Sequence, residues 1–213
     1  MKILVMGIPY FASNIANSLS NYDKENCYIF LDTNKSWISK IKFLIILINT
    51  NVVYHIGGSI YGSKVISLAL LLNKKVIMHW VGSDTVNAIQ NYNNGLINTN
   101  YIERVLHLCE VNWIYSELTQ IGINAEIIQI ATFNDNKISN NLQFPTNFTI
   151  LSYVREYKEK FYGIDYLVKL AKDFPDIEVK IVGISNYDKL LPRNIKLLGW
   201  VDNMGEQYKG CVV

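Results

Sequence analysis

Polar and glycine residues follow four of the predicted strands, at the strand ends where open α/β sheets bind their ligands. In chain order they are Gly7, Pro9 and Tyr10; His55, Gly57, Gly58 and Ser59; His79, Trp80, Gly82, Ser83 and Asp84; and Ser116 and Glu117. Glycines let a backbone approach a ligand closely and leave amides open at helix starts. Histidine adds a titratable group and aspartate an acceptor. Together they predict a cleft for an anionic or hydroxyl-rich ligand.

A simpler interpretation stays open for single residues in this set. Ser83 and Asp84 also suit the start of a helix, and Trp80 also suits a core. Because four loops carry such residues at once, the cleft is the favoured interpretation.

Several well-known catalytic motifs are missing from the sequence. The loop after the first strand lacks G-x-G-x-x-G, and no G-x-x-x-x-G-K-S/T occurs. The segment around Ser59 has Tyr61 where a nucleophile elbow needs glycine, so we expect Ser59 to cap a helix. His55, His79 and His107 lack metal-ligand spacing, and we expect His107 to pack on an apolar helical face. No metal or cofactor is expected.

Composition and charge are those of a globular protein. Half of the residues are hydrophobic, and a net charge of +2 gives no indication of a nucleic-acid partner. Cys27, Cys109 and Cys211 are far apart in the sequence, which favours free thiols in a reducing compartment. The apolar run before Gly7 is too short for a signal peptide. We therefore expect a cytoplasmic protein.

The most apolar stretch of the chain is 43–48, which we expect to be a core helix with a solvated lysine edge. A second interpretation stays open, in which this helix touches an anionic bilayer at the inner face of the membrane. The residues concerned are Lys35, Lys40 and Lys42, with Trp37, Ile38 and Ile41 beside them.

Strand-length apolar runs alternate with helix-period segments over the first part of the chain. The predicted strands are Ile3–Met6, Tyr28–Leu31, Val52–His55, Val76–His79, Val111–Tyr115 and Glu126–Ile130. The clearest predicted helix is 61–73, and its apolar face comprises Val65, Leu68, Ala69 and Leu72. A short helix is expected to begin at Ser116 and end at Gly122. This alternation predicts a Rossmann-like α/β domain over residues 1–133.

Periodicity disappears in residues 134–147, which we interpret as a linker. The β-α-β pattern then begins again. Strands are predicted at Phe148–Val154, Ile177–Val182 and Ile195–Leu198, and a helix face at Ile164, Leu167, Ala171 and Phe174. We expect residues 148–213 to be the opening of a second Rossmann-like domain that is incomplete.

The chain resembles retaining GT-B glycosyltransferases of the glycosyltransferase-4 type over nearly its whole length. Segment 79–86 resembles the family's G-S/T-D segment, and residues 116–130 resemble its passage from the last strand of the first domain to the linker. The more specific match, to the opening of the donor domain, comprises Arg155, Lys160, Gly163, Asp165, Pro175, Asp176, 179–183 and 194–201. The family has glycine directly after the lysine, whereas Phe161 and Tyr162 intervene here, so Lys158 is an alternative to Lys160.

This resemblance implies transfer of a sugar from a nucleotide-sugar donor to a glycan or lipid-linked acceptor, in the synthesis of cell-surface polysaccharide or glycolipid. Arg155 and Lys160 would neutralise the donor diphosphate without a metal, and Gly7, Pro9 and Tyr10 would border its phosphates. The resemblance also implies that His79 is a catalytic residue near the acceptor or sugar. It does not assign His79 the role of a base. The remaining residues of the first-domain loops would bind the acceptor.

The family's later donor-site elements, a Gly-rich loop and two glutamates, have no counterpart before Val213. We therefore expect a fragment with little or no activity alone. A non-catalytic glycan-binding module derived from such an enzyme is the alternative. A nicotinamide-dependent enzyme is a weaker one, because the glycine fingerprint is missing.

Overall fold

The computed structural model describes residues 1–33, 36–130, 148–201, 204–208 and 211. The chain divides into two compact units, Met1–Phe133 and Asn134–Val213. The predicted linker 134–147 lies outside the described residues. Each unit combines a parallel sheet with helices, so the predicted α/β class is confirmed.

A six-stranded parallel sheet forms the centre of the first unit. Its strands are β1 (Lys2–Gly7), β2 (Cys27–Phe30), β3 (Val52–Ile56), β4 (Lys75–Trp80), β5 (Leu106–Cys109) and β6 (Ala125–Ile127). They lie in the order β2-β1-β3-β4-β5-β6, and every neighbouring pair is parallel. The order reverses at β1, so β1 and β3 flank the topological switch point, where sheets of this kind bind ligands at their carboxyl ends.

Helices cover both faces of this sheet. They are α1 (Pro9–Tyr22), α2 (Trp37–Ile48), α3 (Lys64–Leu71), α4 (Ser83–Asn93), α5 (Thr99–Glu103) and α6 (Asn112–Gln120). Alternate residues of each strand point to opposite faces. Val5 and Ile56 pack with α1, whereas Leu4, Met6 and Val53 join a larger cluster that takes in residues of α2 to α6. The two cores hold the carboxyl edge of the sheet from both sides.

The second unit contains a three-stranded parallel sheet. Its elements are β7 (Thr149–Tyr153), α7 (Ile164–Asp173), β8 (Glu178–Val182), β9 (Ile195–Gly199) and α8 (Met204–Tyr208), with the strand order β7-β8-β9. Ile164 and Ala171 of α7 pack on Val179 and Ile181 of β8, as the predicted helix face requires. Phe174, predicted on that face, instead ends the helix and is exposed.

The predicted strand at 111–115 is wrong, because α6 occupies this segment and β5 comes earlier. Val111 is the extended residue before the helix, and Ser116 lies inside α6 rather than at its start. His107 is a buried strand residue of β5, not a residue on a helical face. Gly122 does follow the end of α6 with a left-handed backbone, as predicted.

Two further helix predictions need correction. Helix α3 begins at Lys64, and the side chain of Ser63 caps it, so Ser59 is not the cap. Its buried residues are Ile66, Ala69 and Leu70, whereas the predicted Leu72 is 40% exposed. Helix α2 was expected to be a core helix, but only Phe43 and Leu47 of it are fully packed inside.

Candidate functional site

The carboxyl ends of β1, β3 and β4 are tied together by backbone hydrogen bonds. Ile8 N–H donates to the Ile56 oxygen at 3.0 Å, and Gly57 N–H donates to the His79 oxygen at 2.8 Å. Gly7 has φ +111°, and a Cβ built on it would lie 1.9 Å from the Ile56 oxygen. Only glycine therefore allows β1 and β3 to end side by side at the switch point.

Helix α1 starts directly at this switch point. Pro9 occupies its first turn, and no side chain caps it. The first helical bond runs from Ala12 N–H to the Ile8 oxygen at 2.9 Å, so the amides of Tyr10 and Phe11 precede the helical ladder. Amides in this position favour an anionic group. The predicted residues Gly7, Pro9 and Tyr10 thus lie at one edge of the sheet, and their binding role stays a prediction.

The Asp84 carboxylate is occupied by backbone amides. Its Oδ2 accepts Gly58 N–H at 2.5 Å, its Oδ1 accepts Gly82 N–H at 2.7 Å, and Val81 N–H lies 3.2 Å from both oxygens. These bonds join the loop after β3 to the loop after β4. Asp84 therefore positions two loops of the site, rather than presenting its carboxylate to an acceptor as expected from the sequence.

Trp80 belongs to the core beneath the loop after β3. Its side chain is fully buried, and its Nε1–H donates to His107 Nδ1 at 3.1 Å. His107 Nε2 in turn donates to the Tyr101 oxygen at 3.0 Å. A Cβ on Gly58 would lie 2.0 Å from the Trp80 ring, so this glycine allows the loop to rest on the indole. This corrects the expectation that Trp80 lines the acceptor surface.

His79 is fully buried and paired with Tyr54, a residue that the sequence did not single out. Its Nδ1 lies 2.7 Å from the Tyr54 hydroxyl oxygen. Burial lowers the pKa of His79, although the Ile128 backbone opposes this effect. Its Nε2 has no partner of hydrogen-bond geometry among the described residues. The ring is closed off from solvent in this conformation, so a direct catalytic role of His79 stays a prediction that its burial does not favour.

Glu110, which follows β5, adds a carboxylate to the same edge of the sheet. Burial raises its pKa, the Ile130 backbone partly opposes this by hydrogen bonding, and the charge of Asp84 adds to the increase. Burial, followed by the Glu110 charge, raises the pKa of Tyr54 to about 12. A carboxyl group with a raised pKa at a strand end is a candidate for proton transfer. The misplaced strand at 111–115 hid it, since it put Glu110 before a strand instead of after one.

His55 and Ser59 are engaged within the loop after β3. His55 Nδ1 donates to the Gly57 oxygen at 2.7 Å, and burial lowers its pKa. Ser59 Oγ donates to the Tyr61 oxygen at 2.8 Å. His55 Nε2 is therefore the group in this pair that can accept a hydrogen bond from a ligand hydroxyl.

The loop after β4 continues into α4 through Gly82, whose φ is +128°. Ser83 is exposed at the first position of α4. A Cβ on Gly82 would lie 3.7 Å from the Trp113 ring, so the first turn of α6 borders this loop. Ser116 and Glu117 lie one turn further along α6. Ser116 Oγ bonds its own helix at Asn112, and Glu117 Oε2 is buried with no hydrogen-bond partner among the described residues.

In the second unit, three cations follow the carboxyl end of β7. Arg155, Lys158 and Lys160, which we call the cation loop, are all exposed. Lys158 N–H donates to the Arg155 oxygen at 3.1 Å, and Tyr157 between them has φ +62°, so the loop turns back tightly. Within residues 148–201, none of the three side chains forms an ion pair or a hydrogen bond. An open depression of about 560 Å³ is lined by residues 157–161.

The described residues contain no group of three His, Cys, Asp or Glu side chains placed to hold a metal ion. Nor does this part of the chain include a helix of the length and hydrophobicity that crossing a membrane requires.

Comparison with known proteins finds similarity among solved structures. No protein-family model matches the chain, and no curated protein matches it significantly. Among solved structures, the crystal structure of MurG from Acinetobacter baumannii is similar at 12% sequence identity with a TM-score of 0.44. The match covers 99% of this chain and 71% of MurG. A likeness at this level does not assign a function.

The two units offer different chemistry to a ligand. The edge of the first unit supplies helix-start amides, which favour an anionic group, together with the His55 imidazole and the Glu110 carboxyl group, which suit hydroxyl groups. The cation loop of the second unit supplies exposed positive charge, which suits phosphate.

Proposed function

We propose that this protein acts in glycosyl transfer from a nucleotide-sugar donor to a glycan or lipid-linked acceptor, at the cytoplasmic side of the membrane. The observation that carries the proposal is the cation loop. Its cations are exposed at the carboxyl end of the first strand of a Rossmann-like unit, and they form no ion pair with the described residues. Charge grows on a diphosphate as its bond to the sugar breaks. Fixed guanidinium and ammonium groups stabilise that charge without a metal.

The resemblance to glycosyltransferase-4 type enzymes supports the same assignment for Arg155 and Lys160. Arg155 is the stronger of the two, because its fork can bind two phosphate oxygens at once. Lys158 and Lys160 both lie within the turn, and either ammonium group can serve as the second cation. We assign the acceptor to the first unit and the donor phosphates to the cation loop.

Titration calorimetry with UDP and GDP tests the donor site on the purified chain. We expect binding of one of them, weakened at least about tenfold by Arg155→Ala because one charge-assisted phosphate contact is lost. Arg193→Ala removes an exposed arginine of the same unit and is the matched control. Lys158→Ala and Lys160→Ala then identify the second cation. Absence of binding to either nucleotide, or equal losses in Arg155→Ala and Arg193→Ala, would contradict the donor site.

A non-catalytic glycan-binding module is the second candidate, favoured by the first unit. His79 is buried, and Asp84 is held by backbone amides, so two polar residues predicted near the chemistry serve the scaffold instead. A glycan array separates the two functions. Glycan binding by a chain that binds neither UDP nor GDP would support the module, and nucleotide binding that depends on Arg155 would support the transferase.

A further inference from the structure

Helix α2 carries apolar residues on two opposite sides. Phe43 and Leu47 are buried against the sheet. Six of its twelve residues are apolar and between 46% and 70% exposed, and they are Trp37, Ile38, Ile41, Leu44, Ile45 and Ile48. We call these six residues the α2 stripe. A surface of this kind on a globular protein marks an interaction site.

The α2 stripe is continuous along the helix. At 3.6 residues per turn, its six residues fall within an arc of about 120°, on the side away from Phe43 and Leu47. Lys40 and Lys42 lie at the two borders, each roughly 100° from the middle of the arc. Both lysines are exposed. An apolar stripe with a lysine on either side allows the stripe to be buried while the ammonium groups stay in water.

The surroundings of the α2 stripe are basic in sequence and in structure. Between Asp32 and Asp84 the chain contains no Asp, Glu or Arg, but it contains six lysines, which are Lys35, Lys40, Lys42, Lys64, Lys74 and Lys75. Lys74 Nζ donates to the Ile48 oxygen at 2.8 Å, so it lies at the end of the stripe. Leu71, three residues before Lys74 in the sequence, is a further exposed apolar residue. An anionic partner complements this surface, whereas a second copy would bring lysines against lysines.

We propose that α2 docks the protein on the surface of an anionic lipid bilayer. With about 1.5 Å of rise per residue, α2 is far too short to cross the roughly 30 Å hydrocarbon core, so it lies along the interface. The α2 stripe then enters the acyl boundary, and the flanking lysines meet the headgroups. Trp37 lies at one end, and its ring suits the headgroup level. This inference does not depend on sugar transfer.

Vesicle co-sedimentation of the full chain tests the docking. We expect binding to phosphatidylcholine vesicles that contain about 30% phosphatidylglycerol, at least about tenfold weaker binding to pure phosphatidylcholine, and release by salt. Ile41→Ser combined with Ile45→Ser should abolish binding. Lys40→Gln combined with Lys42→Gln should weaken it by about fivefold per lysine. Leu190→Ser combined with Lys169→Gln changes one apolar residue and one lysine at exposed positions of the second unit and is the control.

Trp37 gives a readout that reports on α2 itself. Brominated lipids should quench its fluorescence in anionic vesicles, and Trp37→Phe should remove that quenching. Circular dichroism melts of each variant separate lost docking from lost folding. Equal binding by the stripe variant and the control, or absence of binding to anionic vesicles, would overturn the inference. A third result would also overturn it. If light scattering shows a dimer, the stripe variant is monomeric and the protein does not bind vesicles, then a second copy of the chain covers the α2 stripe.

Discussion

The Asp84 carboxylate accepts the backbone N–H of Gly58 at 2.5 Å, across 26 residues of sequence. The same carboxylate accepts the amides of Val81 and Gly82. One side chain therefore fixes two of the loops that border the switch point, and the shape of the first-unit edge depends on it.

Asp84→Ala should lower the free energy of unfolding by about 2 to 4 kcal/mol, because three partly buried amides lose their acceptor. Asp84→Asn should cost less, since one oxygen remains. Urea denaturation followed by circular dichroism measures both. Asp188→Ala removes an exposed acid of the second unit and should stay within about 0.5 kcal/mol. A loss no larger than this control would show that the amides find other partners.

Gly58→Ala should destabilise the first unit by about 1 to 3 kcal/mol, because its methyl group meets the Trp80 ring. The cost should shrink in a Trp80→Leu background, where the smaller side chain leaves room. Gly95, which has nothing within 4 Å of a built Cβ, supplies the control. Gly95→Ala should cost the same in both backgrounds. An undiminished cost of Gly58→Ala in Trp80→Leu would place its cause in the backbone instead.

Stability should fall as the pH drops below about 6.5, the ordinary pKa of histidine. Burial lowers the pKa of all three histidines, so the unfolded chain takes up protons first and is favoured at acidic pH. The contribution of the neutral histidines to the free energy of unfolding is complete above about pH 6.5 and is lost below it. Its slope is at most about 1.4 kcal/mol per pH unit for each histidine. Unfolding free energies between about pH 5 and 8 measure it. His79→Asn should flatten the slope, and an unchanged slope would show that the pKa of His79 does not differ between the folded and unfolded states.

Glu110 should act in the opposite direction. Its pKa is raised in the folded protein, so the ionised form destabilises the native state as the pH rises above the ordinary glutamate range. Glu110→Gln should therefore raise the denaturation midpoint at neutral pH, and the gain should disappear near pH 4. Glu103→Gln, at an exposed position on α5, is the control for replacing a glutamate with glutamine. A loss of stability at neutral pH would mean that the bond to Ile130 outweighs the burial of charge.

Continuous apolar runs of strand length allowed most strands to be predicted. Strands β1, β3 and β4 are buried, and such short apolar segments are typical of buried strands. Strand β5 was not predicted, because it has only four residues and includes His107. The next segment contains Trp113 and Tyr115, which favour strands. The segment nevertheless forms α6, so its context in the fold outweighs the β-propensity of these two residues.

The edge that holds the candidate site followed from topology, because parallel strands bring their carboxyl ends together. The role of each side chain could not be predicted from the topology. Asp84 suits a ligand or a backbone clamp equally well in sequence, and only the position of the Gly58 amide decides between them. The role of Trp80 likewise depends on the face of β4 to which its side chain points.

Strand β1 pairs with both β2 and β3, so one half of the first sheet comes from the first 56 residues. Each later strand pairs with the one made just before it. On the ribosome, the switch point is therefore synthesised before β4 has emerged, and every new strand can join an existing outer edge. No strand has to insert between two that are already paired. Synthesis and sheet growth can thus proceed in the same order.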